Sequence, residues 1–420
     1  MPSAHPGAQD ASVAAQAPRA PTPAARQVRR SLTLIWLGGL GLFGGAIAHS
    51  WNSSPYWMDA EEYALTIAGG RWVVHPPGHL FFVAAGRLLY AFGFPEPFAA
   101  LQVLTLLLTL GGMLALYRLL REVVGPVEST LLVLAFALSW VPLLINHTGT
   151  SSTSDLCTVP LLLWAAVRLS VRPTRTASAL LALALILCGG FRLTTLFMMG
   201  PLVVAILWVN RRNRYVWIAC AAAGGAVGLL QLLTIHLAGG WDLYSFMVWK
   251  QDFFRTYNLV DDFTRPALFN LGRSLLWFGL ATLGLPFALL GLKSRRPWTS
   301  KQRVTLLFGA LATVGPLAVC TLYLCEHPGY FAPALAGFYL CVAVAWNRAD
   351  SRPGFGKWPV IAIAASLLLF FGMHYYRSPV TRGQAIANYL LLQYSADGAR
   401  SACYMTTSKW LRATDELRSK

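Results

Sequence analysis

Apolar stretches of about 20 residues return again and again from Leu32 nearly to His374, and that periodic return restricts the chain more than any other feature. The longer ones match the length of helix that crosses a hydrocarbon core of roughly 30 Å, and several are shorter. A single water-soluble core is excluded, because so many apolar runs would leave too little polar surface to cover them. Composition agrees: 56% of residues are hydrophobic and 12% charged, against about 25% charged in an ordinary soluble domain. The expected fold is an all-α polytopic membrane protein with about 11 transmembrane helices. Their expected positions are 32–48, 98–117, 128–145, 156–171, 177–190, 194–209, 215–237, 272–292, 304–324, 331–346 and 358–374.

Residues 1–30 are rich in Ala, Pro and Gln and nearly free of large apolar side chains. They cannot bury enough surface to offset chain entropy, so they read as a disordered cytoplasmic tail. The run 32–48 behind Arg26, Arg29 and Arg30 has a signal-peptide alternative, since Ala46-Ile47-Ala48 resembles a cleavage site. An uncleaved first span is the preferred reading, because the leader would be unusually long. Residues 31–374 then form the membrane domain, with 50–97 as its first outer loop, and residues 375–420 form a small outer-side tail.

Charge decides the orientation. The formal net charge is +17, but the basic residues are dispersed among bilayer-like segments, so they mark topology and not nucleic-acid binding. Residues 79–94 form a further apolar stretch that contains Arg87 and begins behind two prolines. Placed on the membrane surface, it leaves 20 of the 34 basic residues in the inner segments and makes every inner loop basic. Placed across the membrane, it would send Arg168–Arg175 and Arg211–Arg214 outside, so the surface placement is preferred. Only Asp10, Glu122, Glu128 and Asp350 of the 17 acids then face inward, which leaves the polar chemistry to the outer face. Cys157, Cys188, Cys220, Cys320 and Cys341 fall within apolar spans as small hydrophobes, and only Cys325 and Cys403 stand outside them.

Within the first outer loop, Asp59, Glu61 and Glu62 lie about ten residues beyond a span. On a helix Asp59 and Glu62 share a face, being three residues apart. Tyr63, Leu65 and Ile67 suggest that this helix lies at the interface, with the acids as its wet side or as chemical groups. His75-Pro76-Pro77-Gly78 follows, a rigid turn that can start the next helix. In the second outer loop, HTGTSSTSDLCTVP runs from His147 to Pro160. There Ser154 or Asp155 suits an N-cap, and Asp155 also suits a functional role. Arg192 is the one basic residue of the outer turn GGFRLTT, placed either to snorkel to headgroups or to bind phosphate. Residues 239–270 mix charges with Trp241, Tyr244, Trp249 and Tyr257, which fits an interfacial aromatic belt or a sugar-binding lid. Asn52-Ser53-Ser54 and Asn146-His147-Thr148 are glycosylation sequons.

Span, acidic DAEEY loop, HPPG, amphipathic stretch and second span, in this order, resemble the start of GT-C membrane glycosyltransferases, the class of protein O-mannosyltransferases and lipid A aminoarabinose transferases. The resemblance covers roughly residues 31–347, with its sharper motifs between Asp59 and Arg192. It implies a transferase moving a hexosyl or pentosyl unit from a polyprenyl-phosphate donor to an acceptor hydroxyl at the outer face. The acceptor, whether protein, lipid or glycan, is left open. Asp59 matches the first-loop acid that serves as base, although the spacing Asp-Ala-Glu-Glu leaves Glu61 and Glu62 as alternatives. The resemblance further implies substrate-binding roles for His75, Asp155, Arg192 and the late-loop segment Glu326-His327-Pro328-Gly329-Tyr330, in which His327 and Tyr330 approach the donor.

A carboxylate activating the hydroxyl and an arginine receiving the departing phosphate suffice for direct displacement with inversion. That scheme requires no cofactor. A divalent metal stays an open option through Asp59 and Asp155, although no dedicated metal cage is visible. The expected setting is a bacterial inner membrane with the site facing the periplasm. The competing classes are a transporter or lipid flippase and a GT-C-like assembly subunit without activity. The first would place ionisable residues at mid-membrane and show repeated halves, which this sequence does not.

Overall fold

The computed structural model describes residues 23–51, 58–74, 77–146, 148–250, 264–283, 285–294, 296–322, 328–349 and 357–375. Among these the secondary structure is helical throughout. In chain order the helices are α1 (Pro23–Ser50), α2 (Met58–Ala68), α3 (Leu80–Ala91), α4 (Pro97–Leu120), α5 (Pro126–Ala137), α6 (Trp140–Asn146), α7 (Asp155–Val171) and α8 (Arg175–Phe191). They continue as α9 (Leu193–Met198), α10 (Gly200–Val209), α11 (Arg214–Leu237), α12 (Trp241–Lys250), α13 (Thr264–Thr282), α14 (Ser300–Leu322), α15 (Ala332–Ala349) and α16 (Lys357–Tyr375). Three 3-10 segments, Ser151–Ser154, Leu285–Lys293 and Pro328–Phe331, join some of them.

Every expected span coincides with helix, but not every span is one long helix. Among the described residues 6 helices are long and apolar enough to cross a membrane, or 7 if α5 and α6 count as one bent span. Several of the about 11 expected spans are short, and proline chemistry and helix length account for those that are not single long helices. Between α5 and α6 the axis turns by 56°, because Pro142 lacks an N–H and its ring excludes the carbonyl of Leu138 four residues earlier. Pro201 does the same to the carbonyl of Phe197, and the expected span 194–209 breaks at Met199 into α9 and α10. The expected span 272–292 divides into the end of α13 and a 3-10 segment. Helix α8 has 17 residues and covers about 25 Å, short of a full hydrocarbon core. At the other extreme α1 begins at Pro23, so residues 23–30 are helical where a disordered tail was expected. The rest of that tail and residues 376–420 lie outside the described residues.

Helix α15 is the hub. Its residues are almost all buried, and it packs against α14, α7, α5 and the 285–293 segment. Small residues permit the tightest of these approaches: a side chain at Gly309 would meet the Gly337 carbonyl at 2.9 Å and Cys341 Sγ at 2.8 Å. Likewise α4 packs on α7 where Gly112 leaves room for the carbonyl of Leu156. Around this centre Trp140 stacks on Trp277 at 4.9 Å and Phe136 meets Tyr339 edge-on at 5.6 Å.

Three of the segments expected inside meet one another at one end of the bundle. There Lys301 pairs with Glu122 at 3.6 Å, Asn347 donates to the Val123 carbonyl at 2.7 Å, and Arg348 donates to the carbonyls of Ser294 and Arg296, each at 2.7 Å. The buried Arg348 guanidinium also lies 3.6 Å from the Trp298 ring. At the opposite end meet α2, α3, the 151–154 turn, the α8–α9 junction and the 328–331 turn. Helix α3 is too short to cross at 12 residues. It buries Leu80, Phe82, Val83 and Gly86 against α4 and α8, while Arg87 lies 4.1 Å from the Trp72 ring.

Candidate active site

The second-loop sequence folds into a compact hydroxyl-bonded turn. Gly149 adopts φ +67, a region open to glycine, and lets the chain reverse after α6. Thr148 Oγ1 and Thr153 Oγ1 both donate to the Ile145 carbonyl, at 2.7 and 3.1 Å, and so satisfy an exposed helix end. Thr148, Thr150 and Ser152 link side chain to side chain at 3.1 and 2.9 Å. All the hydroxyl residues of the turn are buried. Its rigidity delivers Asp155 to the first position of α7.

Neither Ser154 nor Asp155 acts as the expected side-chain cap. Ser154 Oγ donates to the Ser151 carbonyl at 2.7 Å, and the Asp155 carboxylate turns across to the α8–α9 junction. Arg192 interrupts these two helices in an extended conformation, φ −157 and ψ 101, which frees its side chain from the helix surface. Its Nη1 donates to Asp155 Oδ2 at 2.6 Å, and Thr195 Oγ1, one turn later, donates to Asp155 Oδ1. Asp155 is wholly buried and Arg192 is 5% exposed. Snorkelling is thus not what Arg192 does. Burial opposes the charge on Arg192, but the Asp155 carboxylate, with smaller help from Tyr330 and Tyr63, more than offsets it, and the pKa stands above the ordinary arginine value.

Tyr330, carried by the 328–331 turn, lies with its ring 4.8 Å from the Arg192 guanidinium. Three sequence-predicted residues, Asp155, Arg192 and Tyr330, therefore share one cluster. Helix α2 joins it through Tyr63, whose hydroxyl donates to Ser151 Oγ at 2.9 Å. Asp59 stands one helical turn before Tyr63 on α2, and Glu62, half-buried, is Tyr63's chain neighbour. The side chains of Asp59 and Glu61 lie outside the described residues, as do His75 and His327.

Three further residues of this cluster are not among the sequence's candidate site residues, with Tyr63 read there only as an interfacial anchor. Thr195 is one, Tyr63 another, and His79 the third. His79 is the single non-glycine residue with positive φ among the described residues, φ 49 and ψ 42. Its Nδ1–H donates to the Phe191 carbonyl at 3.2 Å, immediately before Arg192, and its ring meets Tyr63 edge-on at 5.7 Å. A left-handed histidine held this way links α3 to the turn that presents Arg192. The sequence signal was the proline-glycine turn just before it, which was read only as a helix start.

In the 239–270 loop, Trp241 stacks with Tyr244 at 6.2 Å and Gln231 Nε2 donates to the Tyr244 hydroxyl at 2.6 Å. Residues 251–263 lie outside the described residues. Among the described residues no three His, Cys, Asp or Glu side chains converge as metal ligands. The second-loop sequon fails on burial, because Asn146 is 2% exposed at the end of α6 and no glycan could be attached there in the folded protein.

Chemically, the cluster is a fixed, buried guanidinium whose charge is balanced by one carboxylate and faced by one aromatic ring. Such a group offers a directed fork of N–H donors to an anion. It stands at the same end of the bundle as the acidic α2.

No family model matches the sequence, and a search of curated proteins finds no relative. Solved structures do match. ArnT from Cupriavidus metallidurans bound to undecaprenyl phosphate superposes with a TM-score of 0.54 and 14% identity, covering 86% of this chain and 75% of ArnT. The same protein in the apo state gives 0.56 and 14%, covering 91% and 75%. Identity this low speaks for the fold alone: the chain is a polytopic membrane protein with the GT-C-type helical fold seen in ArnT.

Proposed function

We propose that this protein is a glycosyltransferase that moves a sugar from a polyprenyl-phosphate carrier to an acceptor hydroxyl at the outer face of a bacterial inner membrane, with inversion. The observation that carries the reading is the buried Arg192, held by Asp155 and Tyr330 at the end of the bundle that also bears Asp59, Glu61 and Glu62. The ArnT structure with undecaprenyl phosphate supports a carrier of that chemistry by likeness of fold.

In this reading the Asp59 carboxylate takes the proton of the acceptor hydroxyl as its oxygen bonds to the anomeric carbon. The bond from that carbon to the phosphate oxygen breaks, and the phosphate leaves with the electron pair. Arg192 meets the charge gathering on the phosphate, and Asp155 keeps the guanidinium charged and aimed. Positioned proton transfer of this kind contributes about 10²- to 10⁴-fold.

The test begins with mass spectrometry of the lipid-linked sugars that accumulate when the protein is removed, which supplies donor for a purified assay. Asp59→Asn keeps the shape and removes the proton acceptor, so turnover should fall at least about 10²-fold with carrier binding retained. Arg192→Ala should weaken carrier binding instead. Normal turnover in Asp59→Asn with loss in Glu61→Gln or Glu62→Gln would move the base along α2. No sugar accumulation and no turnover in the parent protein would favour a flippase or an inactive assembly subunit.

A further inference from the structure

Helices α6 and α13 pack against each other, with Trp140 of one stacked on Trp277 of the other. On these helices several polar groups are buried with no hydrogen-bond partner among the described residues: both Nδ2 and Oδ1 of Asn146, Oγ of Ser274 and Nε1 of Trp277. Asn146 is 2% exposed, Ser274 1% and Trp277 0%. Asn146 closes α6, six residues beyond Trp140, and Ser274 lies three residues before Trp277 on α13; both helices also meet the 328–331 turn at one end of the seam. That end is where α6 meets the 151–154 and 328–331 turns, which carry the chain into Asp155 and hold Tyr330.

Buried polar groups in folded proteins are nearly always paired, and an orphan carboxamide in an apolar seam is costly to keep. The hydroxyls of the neighbouring turn do not relieve it, since they bond among themselves and to the Ile145 carbonyl. A carboxamide combines two donors with an acceptor, the indole N–H adds a donor and the serine hydroxyl serves as either. Adjacent hydroxyls on a ring, each both donor and acceptor, match that set. A phosphate, which only accepts, does not match Asn146 Oδ1.

We infer that the outer end of the α6–α13 seam, centred on Asn146 with Ser274 and Trp277, is the subsite that hydrogen-bonds the hydroxyls of the donor's sugar, apart from the phosphate at Arg192. The inference rests on the donor chemistry proposed above and assigns the sugar to specific groups. It also gives Asn146 a purpose that its place in a sequon does not.

The experiment compares binding of two probes to the purified full chain in nanodiscs: bare undecaprenyl phosphate and the sugar-loaded carrier identified by mass spectrometry. The parent should prefer the loaded carrier. Asn146→Leu replaces an orphan amide with an apolar group of similar volume, so the melting temperature should hold or rise, while preference for the loaded carrier falls about tenfold or more and bare-carrier affinity stays. Asn146→Ala should behave alike in binding and guards against a packing artefact of leucine. Arg192→Ala should weaken both probes together. Unchanged preference in both Asn146 variants, with Arg192→Ala still impaired, would overturn the sugar subsite and leave the transferase reading intact. A parent that binds neither probe would overturn that reading itself.

Discussion

Replacing Asp155 alone should strand a positive charge in the interior. Asp155 is wholly buried and Arg192 is 5% exposed, and the carboxylate accepts from both Arg192 and Thr195. Asp155→Leu removes the counter-charge and leaves the buried guanidinium facing the Tyr330 ring at 4.8 Å. Breaking a buried pair from one side costs about 3–5 kcal/mol, more than a hundredfold in the folding equilibrium. Arg192→Met alone should cost a similar amount, because it strands the carboxylate. The double variant removes both charges, and exchange of a whole buried pair for apolar side chains is often neutral or stabilising. The two substitutions should therefore couple by at least about 2 kcal/mol. Reversible unfolding in mixed micelles measures the four stabilities of the cycle. If each single variant loses less than about 1 kcal/mol and the losses simply add, the pair is not the electrostatic unit described here. A stable double variant that neither binds the carrier nor transfers sugar would separate the role of Arg192 in function from its cost in folding.

Gly112→Leu and Gly337→Val, which force side chains into helix contacts made by backbone, should each destabilise by roughly 1–3 kcal/mol, whereas Gly224→Ala, with nothing within 4 Å, should not; thermal unfolding compares the three. His79→Asn should keep the left-handed turn that His79→Val strains, so unfolding should find the valine variant less stable by about 1–2 kcal/mol. A cysteine introduced at Asp59 and one introduced at Asp397 should both be labelled from the side opposite cysteines placed at Arg211 and Lys301, and labelling of the first two from different sides would refute the assigned topology.

Much of this protein is legible in its sequence because membrane crossing is a local property. Twenty apolar residues in a row must become a helix in hydrocarbon, where every backbone N–H and C=O needs an internal partner. Thus helix at the expected spans and the short helix α3 behind its two prolines followed from hydropathy and proline placement. Asp155 and Arg192 could be named as candidates because they are isolated charges in short outer turns between apolar spans, whereas Tyr330 was named only through the resemblance of its late-loop segment to GT-C transferases. The continuity of each span was less legible. Pro142 and Pro201 are visible as helix breakers, yet whether a proline kinks a helix or ends it depends on what neighbouring helices supply to the freed carbonyls. Only the tertiary structure decided the pairing. It joined Asp155 to Arg192 across 37 residues, bound His79 to Phe191 across 112, and left the Asn146 side chain without a hydrogen-bond partner among the described residues. The physical reason is that a bilayer fixes each helix by length and hydropathy, while partners between helices are set by packing shape and by the few polar groups that must find one another.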